Sequence, residues 1–122
     1  MATSPSAART APNPLLHLLM NTMVASVRGD GPDLSARQLS VLLKIYLEQG
    51  TDHTVRGLAA ILNISKPVVT RALDRLEELD FAKRQTDPLD RRSIIAKRTS
   101  TGSAYLRTLS SYMAEASKAA KT

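Results

Sequence analysis

Residues 58–98 read LAAILNISKPVVTRALDRLEELDFAKRQTDPLDRRSIIAKR, and the change of hydrophobic period inside this stretch decides the fold. Up to Leu79 the apolar residues recur at helical spacing; beyond it they do not. Leu58, Ala59, Ile61 and Leu62 give a short helix that Thr54 is placed to cap. Asn63-Ile64-Ser65 reads as a compact turn. Ser65 then caps a second helix, with Pro67 in its first turn, that runs to about Leu79. Val69, Ala72, Leu73, Leu76 and Leu79 are its expected buried stripe. Phe81–Thr86 and Ser93–Thr99 read as two short strands, joined by a loop, Asp87–Arg92, with turn residues at its start and two arginines at its end. Short helix, turn, second helix and hairpin make a winged helix-turn-helix, a mainly α fold with a small β-hairpin wing.

Upstream, Ser35 and Gln38 have capping-box spacing and Gly50 is a plausible stop. Between them Leu39, Leu42, Leu43, Tyr46 and Leu47 make an amphipathic helix. An earlier helix begins at Pro14, runs towards Val27 and stops at Gly29, Gly31 and Pro32. Its apolar residues cover more than one face, so it needs more than one partner. A last helix opening at Thr99 or Thr101 carries Tyr105, Leu106, Leu109, Tyr112, Met113, Ala116 and Ala120. Residues 1–13, rich in Ala, Ser, Thr and Pro, are expected to form a disordered arm. The expected organisation is an arm at 1–13, an N-terminal helix within 14–33, the winged helix-turn-helix at 34–99 and a C-terminal helix within 100–122.

At 122 residues, 43% of them hydrophobic, the chain has the length of one ordinary domain. Aromatics are only 3%, so the interior must be aliphatic. With no cysteine, disulfides, thiolate metal sites and thiol redox sensing are excluded. The net charge of +6 favours polyanionic partners. Basicity concentrates in the last third, where Lys83, Arg84, Arg91, Arg92, Lys97 and Arg98 outweigh Asp80, Asp87 and Asp90. The longest apolar run near the start, Leu15–Met20, is interrupted by His17 and far short of the ~20 residues a bilayer requires. No leader with a cleavage-like site is evident, so the expectation is a soluble, cytoplasmic protein with no membrane partner.

The second helix of such a motif lies in the major groove of double-stranded DNA, apolar behind and hydrogen-bonding in front. Lys66, Pro67, Val68, Thr70, Arg71 and Arg75 lie opposite the buried stripe. Arg71 has the fork to pair with guanine, and Pro67 and Val68 can touch thymine methyls. Ser65, Lys66 and Thr70 suit phosphates, aided by the free N–H groups of the helix start. Arg91 and Arg92 at the wing can enter the minor groove, with Asp90 orienting one of them by a bidentate pair. Each feature has a plain structural alternative: paired loop arginines are often solvated charge, and Arg75 can pair with Glu78 or Asp74 on its own helix. Their occurrence together, in order and closely spaced, favours DNA binding.

The segments ISKPVVTRALDRLE, DPLDRRS and TSTG resemble the multiple-antibiotic-resistance-type (MarR-type) regulators, over roughly residues 34–109. The resemblance implies a homodimeric winged-helix transcriptional regulator on a pseudo-palindromic operator, often a repressor relieved by a small-molecule effector. By position, Ser65, Lys66, Pro67, Val68, Thr70 and Arg71 would lie in the major groove and Asp90, Arg91 and Arg92 would form the wing tip. Dimerisation would use the end helices, through Leu15, Leu16, Leu19, Met23, Leu109, Tyr112 and Met113.

No catalytic constellation is present. His17 and His53 have no acidic or nucleophilic partner at meaningful spacing and belong to no metal pattern; His53 is expected as an exposed loop residue. Asp74, Glu77 and Glu78 are expected to face solvent. No phosphate loop follows a strand, and neither cofactor nor metal is expected. Two other readings stay open: a winged-helix adaptor that binds another regulator or a polymerase subunit, and a non-specific DNA architectural protein.

Overall fold

The computed structural model describes residues 13–121, with side chains through residue 119. The arm expected over 1–13 lies, apart from Asn13, outside the described residues, as does the side chain of Ala120. The order is α1 (Pro14–Arg28), α2 (Ala36–Leu47), β1 (His53–Thr54), α3 (Val55–Leu62), α4 (Lys66–Glu78), β2 (Ala82–Asp87), β3 (Asp90–Arg98) and α5 (Ser100–Lys121). These elements fall into two compact units. Of the described residues, one spans 34–106 and the other comprises 13–33 and 107–121.

Within residues 34–106 each helix starts where a side chain satisfies its free N–H groups. Ser35 and Gln38 form the capping box: Ser35 Oγ accepts from Gln38 N at 3.1 Å and Gln38 Oε1 from Ser35 N at 2.9 Å. Thr54 Oγ1 accepts from Gly57 N at 3.0 Å, and Ser65 Oγ from Val68 N at 3.4 Å. Between α3 and α4, Asn63 adopts the left-handed conformation, φ 54°, which asparagine tolerates better than most residues. Ile64 N donates to Ala59 O at 3.1 Å and closes the turn.

The core of this unit is aliphatic. Val41, Leu42, Leu58, Val69, Leu73 and Leu76 are almost entirely shielded from solvent, each contributing roughly 1.5–3 kcal/mol of hydrophobic stabilisation. The expected stripe of α4 is buried at Val69, Ala72, Leu73 and Leu76, with Leu79 half-buried against it. The buried row of α2 differs from expectation: it is Val41, Leu42, Ile45 and Tyr46, while Leu47 is 72% exposed. Two apolar rows run along this helix, and spacing alone did not separate them. Ile61 of α3 is likewise exposed.

The wing is a three-stranded antiparallel sheet in the order β1-β3-β2. The strand β1 was not expected; it pairs His53 with Ala96 and Thr54 with Ile95. His53 is accordingly a buried strand residue, with Nε2 2.6 Å from the Glu48 carbonyl. The expected six-residue loop shrinks to a Pro88-Leu89 turn, and Arg91 and Arg92 lie on β3.

A buried hydroxyl closes this unit. Tyr46 Oη lies 2.8 Å from the Phe81 carbonyl and accepts from Thr99 N at 2.8 Å. Thr99 in turn caps α5, its Oγ1 accepting from Gly102 N at 2.9 Å and donating to the Asp80 carbonyl at 2.6 Å. Phe81 stacks at a tilt on Tyr105, centroids 4.5 Å apart.

In the other unit, Asn13 caps α1, its Oδ1 accepting from Leu15 N and Leu16 N at 3.0 and 3.2 Å, and Pro14 occupies the first turn. Among the described residues of this unit, Thr22 and Ala116 are buried. Leu15, Leu16, Leu19, Met20, Met23, Val24 and Val27 are exposed along α1, as is Met113 on α5, with Leu109 and Tyr112 half-buried. No helix among the described residues is long and apolar enough to cross a membrane.

Candidate nucleic-acid interface

The N-terminal end of α4 forms the first half of the candidate interface. It has no acidic residue in its first turn, so no charge of its own offsets the partial positive charge at the helix start. Ser65, Lys66, Pro67 and Arg71 are exposed, and Val68, Thr70 and Arg75 half-buried. Among the described residues neither Lys66 nor Arg71 has an ion-pair partner. Arg75, further along, pairs with Glu78, Nη1 to Oε1 at 2.8 Å. Its guanidinium is therefore partly engaged within its own helix, unlike that of Arg71.

The wing supplies the second half. Strands β2 and β3 pair regularly from Ala82↔Arg98 to Thr86↔Ile94, then shift register to Asp87↔Asp90. Arg91, Arg92 and Ser93 are left without a partner across the hairpin. Such a bulge frees side chains from the flat alternation of a strand. Asp87 Oδ1 accepts from Leu89 N at 2.9 Å and orders the turn. Asp90 does not form the expected bidentate pair. Its Oδ1 accepts from Arg92 backbone N at 3.1 Å and stands 3.5 Å from Arg92 Nε. One oxygen serves both contacts, so the aspartate orders the backbone first and the guanidinium second.

The two halves meet. Thr54, Val55 and Arg56 at the start of α3, Lys66 and Thr70 of α4, and Asp90, Arg92, Ser93 and Ile94 of β3 line a cleft of about 530 Å³. Arg56 lines this cleft although the sequence reading did not single it out. Its signal was available, since the first helix of the motif crosses the nucleic-acid backbone and Arg56 sits in that helix's first turn. Lys66, Arg56 and Arg92 give the cleft a positive balance against Asp90 alone.

Asp74 and Glu77 are exposed, as expected, and both are also paired. Arg84 of β2 places Nη1 2.7 Å from Asp74 Oδ1 and Nη2 2.7 Å from Glu77 Oε1. Its Nε donates to the same Glu77 oxygen at 3.0 Å. These hydrogen bonds hold the Glu77 carboxyl below its ordinary range and raise the Arg84 guanidinium above its own. Among the described residues no three His, Cys, Asp or Glu side chains gather as a metal site would require.

A sequence model of the MarR family matches residues 29–93, more than half of the chain. Among curated proteins there is no match. Solved structures match closely in fold. A mutant of MepR from S. aureus gives a TM-score of 0.74 at 19% identity, over 98% of this chain and 82% of that one. The S. aureus MepR–DNA complex gives 0.70 at 22% identity, over 83% and 80%. A MarR crystal structure gives 0.61 at 27% identity, over 85% and 78%. With its helix-turn-helix, its wing and this match, the chain belongs to the MarR family and has the winged-helix fold of that family's transcriptional regulators.

Proposed function

We propose that the chain is a sequence-specific, double-stranded-DNA-binding transcriptional regulator that acts as a homodimeric repressor on a pseudo-palindromic operator. The observation that carries this reading is the shared cleft, where Lys66 and Thr70 of α4 and Arg92 of the wing converge with Arg56. A lone basic helix would attract any polyanion. A capped helix with a free basic end beside an arginine-bearing hairpin matches the two grooves of a duplex. The MepR structure solved with DNA has this fold, which supports the same use here. In this assignment Arg71 reads base edges, Lys66, Ser65, Thr70 and Arg56 hold phosphates, and Arg91 and Arg92 reach the minor groove.

The homodimer rests on α1, where seven large apolar side chains are exposed. Soluble monomers rarely leave so continuous an apolar surface in water. Leu15, Leu16, Leu19 and Met23, with Leu109, Tyr112 and Met113, form the proposed contact. The two half-sites would then lie about one helical turn, ~10 base pairs, apart. Release of DNA by a small-molecule effector belongs to the same proposal.

Selection of duplexes from a random pool, followed by fluorescence anisotropy against salt, tests the reading. Five basic contacts per protomer (Arg56, Lys66, Arg71, Arg91 and Arg92), ten in a dimer, imply a loss of roughly 10⁵ in affinity between 50 and 200 mM salt. Arg71→Ala should relax base preference at one position of each half-site, whereas Lys66→Ala should weaken all duplexes alike. Binding without any sequence preference would favour the architectural reading; no salt-sensitive binding would favour the adaptor. Light scattering on Leu19→Glu should report a monomer where the wild type is dimeric.

A further inference from the structure

Arg84 is more heavily engaged than any other cation among the described ion pairs, yet it lies in none of the DNA-facing positions above. It extends from β2, the outer strand of the wing, to two carboxylates one turn apart on α4. Its backbone N–H also points at Glu77 Oε2, at 3.4 Å. The contact spans the two elements that a duplex would engage in different grooves. We propose that the Asp74–Glu77–Arg84 cluster is a positioning device that fixes the angle between the DNA-reading helix and the wing.

The geometry gives this cluster leverage. Arg84 pairs with Ala96, where the sheet is still regular. Beyond Thr86 the register shifts, and the hairpin end is held by the single Asp87↔Asp90 pair and by side-chain bonds from the same two aspartates. The turn begins four residues past Arg84, or about 13 Å along a strand. A tilt of about 10° at Arg84 would displace it by roughly 2 Å, several times the ~0.5 Å tolerance of a specific contact. Burial of Phe81, Ala82, Ile95 and Ala96 anchors the base of the sheet without the cluster. Surface ion pairs of this exposure add little to global stability, so their effect should be felt in alignment.

The proposal rests on the DNA reading, and its sign separates it from simple electrostatics. Glu77→Gln and Asp74→Asn each remove a negative charge near a polyanion, so charge alone would tighten binding. Loss of positioning weakens it, and the double variant should bind the selected duplex about tenfold less tightly. The chain has no cysteine, so nitroxides can be placed on Leu47→Cys and Leu89→Cys, both exposed in the wild type. Without DNA, their distance distribution should broaden in the double variant while the melting temperature stays within a few degrees. Broadening together with weaker binding supports the device. An unchanged distribution, or duplex affinity that is equal or higher, overturns it. If the double variant unfolds, Glu77→Gln alone is read by the same two measurements. A wild-type protein that binds no duplex sinks the DNA reading itself, with the positioning role.

Discussion

Replacing Gly102 with alanine should destabilise the protein even though helix propensity argues the opposite. Gly102 lies in the first turn of α5 and is buried. A Cβ there would overlap Tyr46 Oη and the Phe81 carbonyl oxygen, and would stand 2.8 Å from Tyr46 Cζ. In an exposed helix interior the exchange would gain ~1 kcal/mol. Here overpacking costs ~1–3 kcal/mol. The tyrosine must also move off the Phe81 carbonyl and Thr99 N–H, leaving buried groups unpaired at ~1–3 kcal/mol. The balance is a net loss of about 3 kcal/mol. At 4–8 °C per kcal/mol, the melting temperature should fall by roughly 12–24 °C.

Thermal and urea unfolding followed by far-UV circular dichroism measure this directly. A Tyr46→Phe background removes the hydroxyl, so part of the clash disappears there. The Gly102→Ala penalty should shrink by about 1 kcal/mol in that background, a coupling that contacting residues show. It should not vanish, because the Phe81 carbonyl is backbone and stays in place. A melting temperature equal to or above wild type would refute the packing argument, since propensity alone would then govern the site. Strict additivity with Tyr46→Phe would place the obstruction elsewhere.

Thr99→Ala removes the cap of α5 and the hydroxyl's bond to the Asp80 carbonyl; a loss of about 2 kcal/mol in urea titration is expected, against little for Thr99→Ser. Glu77 titrates below its unfolded value because Arg84 hydrogen-bonds its carboxylate. Its contribution is therefore complete above pH ~4.5 and lost as pH falls through the depressed folded value. Being exposed, it amounts to less than about 1 kcal/mol; Glu77→Gln should flatten that limb of a stability–pH curve, and an unaltered limb would deny the pair. Asp90→Asn keeps the oxygen that accepts Arg92 N–H while removing a charge, so duplex affinity should rise a few-fold; Asp90→Ala, which loses both, should bind more weakly than Asp90→Asn in the same anisotropy titration.

What was legible in the sequence was what is encoded locally. The α4 helix has its cap, its proline and its apolar row within fifteen residues, and each found its expected place. The Ser35 capping box was equally readable. Features that depend on distant partners were not. The strand β1 is two residues long and exists because Ala96 and Ile95 come alongside, which also explains why His53 is buried. Two apolar rows on α2 left the choice of buried face to the rest of the core. The bulge at Arg91–Ser93 depends on where β2 stops pairing, and the Arg84 bridge on the closeness of β2 to α4. Neither leaves a periodic trace.

The same division between local and distant determinants runs through the interface. The reading face of α4 is set by the helix's own burial: with Val69, Leu73 and Leu76 fixed in the core, the directions of Lys66 and Arg71 follow from helical geometry. The wing has no such anchor at its tip, where Leu89 is 94% exposed and the arginines are unpaired across the hairpin. Its order comes instead from Asp87 and Asp90, two carboxylates that would repel a phosphate backbone. Each uses an oxygen on a backbone N–H, which makes its charge the cost of holding the turn; in the proposed DNA reading Arg91 and Arg92 would supply the attraction. If the proposed DNA reading holds, a helix fixed in the core beside a hairpin tied at Arg84, and held beyond the bulge by one residue pair and two short side-chain bonds, would keep one register in the major groove while the turn adjusts to the minor groove.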